Sequence, residues 1–421
     1  MTVEQALEYI HGNYWNGGSF GLSKTKELMN LMGNLQKQLK FIHIVGTNGK
    51  GSTAAMSASI LQKAGYTVGL YTSPYIFKFH ERMQVNGQCI SDEELAELTE
   101  KIKPLADSMK DKPSEFELVT AIAFDYFLRH HCDIVCLEAG LGGENDSTNV
   151  IDPPEVAVIT NIGLDHTALL GNTLEEIATT KSKIIKPGCQ AVTYREPASV
   201  EAVFEARCKE VGAEWTKADF DSIHLRSASL EGQVFDWGDY KELKLPLLGE
   251  HQLKNAAVVL TVMQVLRKKG WKISDEAIRE GLATVSWPGR FELIGREPLF
   301  IVDGGHNPQC IEALVKNVRD YLGGRHLTIL TGVLADKDYS HMYRDMSQFA
   351  SEFITVTPGN PRALPAQELK TYLEQFGKPV TACDDVETGV ALAKAHAGKD
   401  GVVLSYGSLY MLGEIVEAAK K

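Results

Sequence analysis

A chain of 421 residues is too long for one ordinary domain and long enough for two, each able to bury its own core without disulfide or metal staples. Its composition, 44% hydrophobic and 23% charged, is globular, and no stretch approaches the roughly 20 apolar residues that cross a bilayer, so no membrane partner is expected. The net charge of −12 leaves no basic stripe for a nucleic-acid partner, so anionic substrates must be held by a few local cations. The amino terminus lacks a basic segment followed by an apolar one, and a cytoplasmic location is the expectation. Seven cysteines, at 89, 132, 136, 189, 208, 310 and 383, are scattered without CxxC pairs and read as buried thiols.

In chain order, short β-rich runs alternate with longer helical patterns, the signature of an α/β fold built from βαβ units around a mostly parallel sheet. The first series predicts strands over 41–45, 68–72, 134–137 and 156–162. Ser91 with Glu94 forms a capping box that opens a helix running toward Lys110, and 116–129 is long and apolar-periodic. Between about 187 and 250 the pattern loosens into expected hairpins and loops, an appendage to the first domain, before a helix over about 251–269. Trp287-Pro288-Gly289-Arg290 carries two helix breakers between one alternating series and the next, so the domain boundary is placed just after it. A second series predicts strands near 299–303, 327–333, 353–357 and 401–406, again an open α/β sheet.

The strand at 41–45 runs into Gly46-Thr47-Asn48-Gly49-Lys50-Gly51-Ser52-Thr53, and a helix is predicted over 54–64. A strand, a glycine-rich turn and a helix in this order aim successive backbone N–H groups and a helix amino terminus at one spot, which favours phosphate. Lys50 would reach the terminal phosphates, and a hydroxyl from Ser52 or Thr53 could face a magnesium ion. The generic pattern G-x-x-x-x-G-K-[ST] is not met, because Ile44 stands at its first glycine and Gly51 at its hydroxyl position. Three further strand ends could supply oxygen or nitrogen ligands: Ser73 after the second strand, Glu138 ahead of the glycines in Leu137-Glu138-Ala139-Gly140-Leu141-Gly142-Gly143, and His166 in Asn161-Ile162-Gly163-Leu164-Asp165-His166.

The eight residues Gly-Thr-Asn-Gly-Lys-Gly-Ser-Thr resemble the phosphate loop of the Mur ligases and, within them, of the folylpolyglutamate and dihydrofolate synthases. Matching motifs follow in family order from about residue 30 to residue 412. The resemblance implies an ATP-binding Mur ligase-type domain over 1–293, holding the phosphate loop, and a smaller Rossmann-like α/β glutamate-ligase domain over 294–421. It assigns magnesium coordination to Ser73, Glu138 and His166, with two ions expected. It also identifies Lys181, in Thr173-Leu174-Glu175-Glu176-Ile177-Ala178-Thr179-Thr180-Lys181, as the lysine carbamylated in the family. Asn255 matches a nucleotide contact, Arg290 an arginine that reaches the phosphates, and Asp303 a further nucleotide contact. His306, in Asp303-Gly304-Gly305-His306-Asn307-Pro308, would lie near the acyl phosphate and the incoming glutamate, and Ser408, in Gly407-Ser408-Leu409-Tyr410, on the glutamate side.

The implied activity is an ATP-dependent ligase, acting as a monomer, that adds L-glutamate to a reduced folate or to dihydropteroate through an acyl phosphate. A muramyl-peptide ligase is disfavoured, since those enzymes carry a nucleotide-sugar-binding domain ahead of the loop and only 45 residues precede Gly46. A non-catalytic nucleotide switch would not need Arg290, Asp303 and His306. Tyr75, Glu144 and Thr180 depart from the family pattern, with Glu144 putting an anion where relatives have an arginine, and they keep open a paralogous ligase acting on another pterin or carboxylate.

Overall fold

The computed structural model describes residues 1–12 and 21–421. The first sheet contains β1 (Phe41–Val45), β2 (Val68–Tyr71), β3 (Met83–Val85), β4 (Gln88–Cys89), β5 (Ile134–Glu138), β6 (Val156–Ile159), β7 (Gln190–Thr193) and β8 (Glu214–Lys217). Their spatial order is β4-β3-β2-β5-β1-β6-β7-β8, parallel from β2 to β8 and closed at one edge by the antiparallel β3 and β4. A small antiparallel sheet follows, formed by β9 (Ile223–Ser229), β10 (Gly232–Trp237) and β11 (Tyr240–Leu245). The third sheet has β12 (Glu292–Arg296), β13 (Leu299–Val302), β14 (Leu327–Thr331), β15 (Glu352–Thr355), β16 (Val380–Ala382) and β17 (Val402–Tyr406), in the order β12-β13-β17-β14-β15-β16. Only β12 pairs antiparallel in it. The fold is therefore α/β in two units, as the alternation predicts.

Side-chain alternation explains why the first sheet is covered on both faces. On β1 and β5, Ile42, Ile44, Ile134 and Cys136 join a core with Met56, Ile60, Ala256 and Leu282. Phe41, Val135 and Leu137 point the other way and pack with Leu118, Ile122 and Phe124. The helix Lys50–Lys63 thus lies on one face and Glu115–Arg129 on the other. The capping box expected at Ser91 forms only its N-cap half, Ser91 accepting from the Glu94 N–H while the Glu94 carboxylate turns to His130, and a full capping box stands instead at Ser114 with Glu117.

The segment 187–250 is only partly the hairpin appendage expected. Gln190–Thr193, the helix Ala198–Val211 and Glu214–Lys217 extend the first sheet by another parallel crossover, and hairpins are confined to β9, β10 and β11. The reason lies in β8, an edge strand reading Glu-Trp-Thr-Lys with no apolar run to mark it. The helix Asp275–Thr284 and the edge strand β16 were not anticipated either. The expected division at 293/294 falls inside β12. Five cysteines are buried, whereas Cys89 is exposed and Cys310 half-buried, and all seven are free. Among the described residues, no helix is long and apolar enough to cross a membrane.

Candidate active site

Register brings four strand ends of the first sheet to one edge. Ile44 pairs with Glu138, Val45 with Ile159, and Tyr71 with Leu137, so Gly46, Glu138, Asn161 and Ser73 leave the sheet side by side. A cavity of about 500 Å³ lies over this edge, between the first and third sheets. Gly46, Thr47, Asn48, Gly49, Lys50, Gly51 and Ser52 line it together with Ser73, Glu138, His166, Lys181 and Asn255, and Arg290, Asp303 and His306 close it from the other side. Thr53 and Ser408 do not line it: both are buried, and the Ser408 hydroxyl accepts the Tyr410 N–H at 3.2 Å. Ser52, itself only 2% exposed, lines the cavity where Thr53 does not.

The phosphate loop is held rigidly. Thr47 N–H donates to the Asn161 carbonyl and Asn48 N–H to Asn161 Oδ1, each at 2.8 Å, and Thr160 Oγ1 donates to the Asn48 carbonyl at 2.6 Å. Gly49 caps the helix Lys50–Lys63 with φ +81°, without a side-chain cap, so the first-turn N–H groups remain open to an anion. A Cβ at Gly49 would lie 2.5 Å from Asn255 Oδ1, and one at Gly51 would lie 2.7 Å from the Trp287 ring. That close approach explains the glycine at the position where the generic loop has a hydroxyl. Behind the loop, Asn255 accepts from the Tyr194 hydroxyl and donates to Gln252 at 3.0 Å, and Gln252 donates to Ser52 Oγ at 3.2 Å.

Charges converge on this spot. Lys50 Nζ donates to the carbonyls of Gly46 at 3.2 Å and Thr47 at 3.1 Å, and Lys181 Nζ donates to Gly46 at 2.8 Å. Burial, reinforced by the Lys50 charge, pulls the Lys181 amine down to about 7. Glu138 is 4% exposed and accepts the Ser73 N–H at 3.1 Å. Its burial pushes the carboxyl up to about 6, against the opposing influence of Lys50. His166 stays half-exposed on the same edge, 3.9 Å from Asp165.

From the other side, Asp303 uses both oxygens to accept backbone N–H groups, from Phe291 at 2.8 Å and Gly305 at 2.7 Å. His306 donates from Nδ1 to the Gly304 carbonyl at 2.8 Å, which directs its Nε2 lone pair outward. Its pKa falls to about 4, chiefly through burial, so the ring is neutral. Arg290 Nη1 donates to Gly289 at 3.0 Å.

Of the departing residues, Glu144 is exposed and does not line the cavity, so its charge does not enter it. Thr180 Oγ1 donates to the Glu176 carbonyl at 3.3 Å, and Arg82 lies over the Tyr75 ring at 5.4 Å. Sequence reasoning did not single out Gln309, Asn307 or Asp165, which join the two sides of the cavity. Asn307 and Asp165 stand inside motifs already noted, but nothing local marks their partners.

The Mur ligase middle domain profile matches residues 44–263, and the Mur ligase glutamate ligase domain profile matches 289–409. The dihydrofolate synthase/folylpolyglutamate synthase of Bacillus subtilis is 36% identical, over all of this chain and 99% of its own length. Among solved structures, a Mycobacterium tuberculosis folylpolyglutamate synthase with ADP and AMPPCP superposes with a TM-score of 0.90 at 29% identity, covering 100% of this chain and 98% of that one. An AMPPCP and folate complex of such a synthase gives 0.86 at 32% identity, covering 99% and 98%. With both halves matched and near-complete coverage, the chain belongs to the folylpolyglutamate synthase/dihydrofolate synthase family of Mur ligases.

Proposed function

We propose that this chain is an ATP-dependent ligase that joins L-glutamate by an amide bond to a reduced folate, with dihydropteroate as an alternative acceptor. The observation that carries the reading is the meeting, in one cavity, of the phosphate loop, Lys181 and Glu138 with Arg290 from the junction between the units and His306 from the segment after β13. An adjoining cavity of about 460 Å³, lined by Phe116, Glu117, Arg82 and Asp146 and reaching Ser73, supplies an aromatic and polar wall suited to the pterin acceptor. Two functional units, expected as 1–293 and 294–421, meet beside Trp287–Arg290, with β12 from Glu292 already pairing in the sheet of the second. One chain supplies every group of the site, which favours a monomer, and the acidic balance and the absence of a membrane helix among the described residues favour a cytoplasmic enzyme.

The acceptor carboxylate attacks the γ-phosphorus of ATP, the bond to the β-phosphate oxygen breaks, and ADP leaves with that electron pair. The glutamate amine then attacks the acyl phosphate carbon, the carbon–oxygen bond breaks, and phosphate and one proton are released. Lys50 and the first-turn N–H groups stabilise charge on the transferring group, and Arg290 adds a fixed guanidinium from the other side. Neutral His306 presents Nε2 as a hydrogen-bond acceptor for the amine. Closure of the second unit excludes water that would hydrolyse the acyl phosphate.

The residues present fit magnesium. Glu138 is a buried carboxylate with one hydrogen-bond donor at Ser73, and it faces the phosphate loop beside His166. No three His, Cys, Asp or Glu side chains among the described residues converge as a ready-made cage. This suits an ion that takes few protein ligands and completes its shell with phosphate and water. Ser73, Glu138 and His166 would hold it, with Lys181 as a carbamate serving a second ion; bound magnesium would neutralise phosphate charge. Carbamylation is supported by the lowered Lys181 pKa, since a neutral amine is what adds to carbon dioxide, releasing one proton.

The test is phosphate release with Mg-ATP and L-glutamate, comparing tetrahydrofolate, dihydropteroate and no acceptor, with Lys50→Ala as control. Glutamate- and pterin-dependent turnover that disappears in the variant is expected. ATP hydrolysis indifferent to both additions would overturn the folate assignment.

A further inference from the structure

Across the cavity, the first turn of the helix Pro308–Leu322 reaches the phosphate-loop side through one neutral side chain. Gln309 Oε1 accepts from Asn48 Nδ2 at 3.1 Å and from Asn161 Nδ2 at 2.9 Å, while its Nε2 donates to the Ile162 carbonyl at 3.3 Å. The amide therefore meets two donors and one acceptor, all on the first unit. The socket is completed by a missing side chain: a Cβ on Gly163 would lie 2.0 Å from Gln309 Oε1. Gly163 is not among the positive-φ residues, so its glycine is required by the space Gln309 occupies, not by the backbone.

We propose that Gln309, seated in the Asn48–Asn161–Gly163 socket, is the positioning residue that sets the second unit, and His306 with it, over the phosphate loop. Gln309 stands three positions after His306, and Asn48 belongs to the loop itself, so the contact ties the two reacting walls directly. Asn307 makes a neighbouring amide pair with Asn48 at 2.9 Å, but its Oδ1 also caps the helix through the Cys310 N–H, so its removal would confuse positioning with stability. The Gln309 side chain makes its bonds across the units. A neutral amide also registers the two walls without placing a counter-charge beside the transferring phosphoryl group.

The proposal rests on the ligase reading for its turnover test, and on the socket alone for its structural test. Initial rates, melting temperature and small-angle scattering are measured on the full chain and on Gln309→Ala, Gln309→Met, Gly163→Ala and the Gly163→Ala/Gln309→Ala pair. Each single variant should lower kcat/KM for glutamate roughly tenfold through misplacement of the reacting groups. KM for ATP and the melting temperature should change little, and the radius of gyration should rise. The double variant should be no worse than either alanine single variant, because an alanine at 163 simply evicts the side chain that 309 has already lost. Unchanged glutamate kinetics in Gln309→Ala, or additive losses in the pair, would overturn the proposal. Absence of turnover in the unaltered chain would instead sink the ligase reading, and scattering would then decide the socket: equal radii in all five proteins overturn it.

Discussion

The two walls of the cavity are built differently. The phosphate-loop wall is close-packed: Asn255 lies against Gly49, Trp287 against Gly51, and backbone bonds fix Thr47 and Asn48. The opposite wall meets the loop itself through polar contacts, Gln309 and Asn307 on Asn48, with Lys337 at 3.6 Å from Asp165, while apolar packing of Leu248 against Ile311 and of Ile76 against Leu412 lies away from the loop. The difference teaches that the loop proposed to bind phosphate is fixed by packing and backbone bonds, whereas the wall carrying His306 is set over it by side-chain amides.

The largest effect should come from the rigid wall's charge. Lys50→Ala is expected to lower kcat/KM about a thousandfold, as for loss of a main electrostatic donor, measured by steady-state phosphate release; a loss under tenfold would mean that the loop is not the centre of the chemistry. The packing itself is tested by Gly51→Ala, where the added carbon meets the Trp287 ring and overpacking should cost about 1–3 kcal/mol in urea unfolding. Adding Trp287→Ala should recover part of that loss, and no recovery would break the contact argument. On the opposite wall, Lys337→Met should raise KM for glutamate by only about threefold, with the gap narrowing in part in high salt, since the pair is long at 3.6 Å and its part-buried charges are only partly screened. A salt-independent effect would show that Lys337 acts by something other than charge.

The smallest effect concerns Glu196, which accepts the Ile162 N–H at 2.8 Å just behind the Gln309 socket. Burial raises its carboxyl to about 7, with Glu201 adding repulsion and the Ile162 hydrogen bond opposing. Between its ordinary value and about 7 the folded chain holds the extra proton, so this group's contribution to stability falls as pH rises through that window. Glu196→Gln should flatten the stability profile there, checked by thermal unfolding from pH 4 to 8 in roughly unit steps; an unchanged slope would assign the pH dependence elsewhere.

Much of the phosphate side was legible in the chain because its signals are local. Phe41–Val45, the glycine turn and the helix that follows are contiguous, and the strand ends carrying Ser73, Glu138 and Asn161 could be recognised one at a time. The resemblance supplied the other wall, Arg290, Asp303 and His306. Less visible was β8, whose Glu-Trp-Thr-Lys lies at an exposed edge without an apolar pattern, and β12, which hides the unit junction by pairing back on β13. Thr53 and Ser408 were expected as ligands because motifs place hydroxyls there, but neither residue lines the cavity, whereas the equally buried Ser52 does.

By itself the sequence determined the α/β class, the phosphate loop and the family, because hydrophobic periodicity, caps and short motifs act over a few residues. Tertiary structure decided which hydroxyl faces the cavity, why Gly51 must be glycine, and how the walls meet. Gln309 and Asn48 stand 261 residues apart, and an amide-to-amide contact at that separation leaves no local pattern; only the packing of two sheets brings them together.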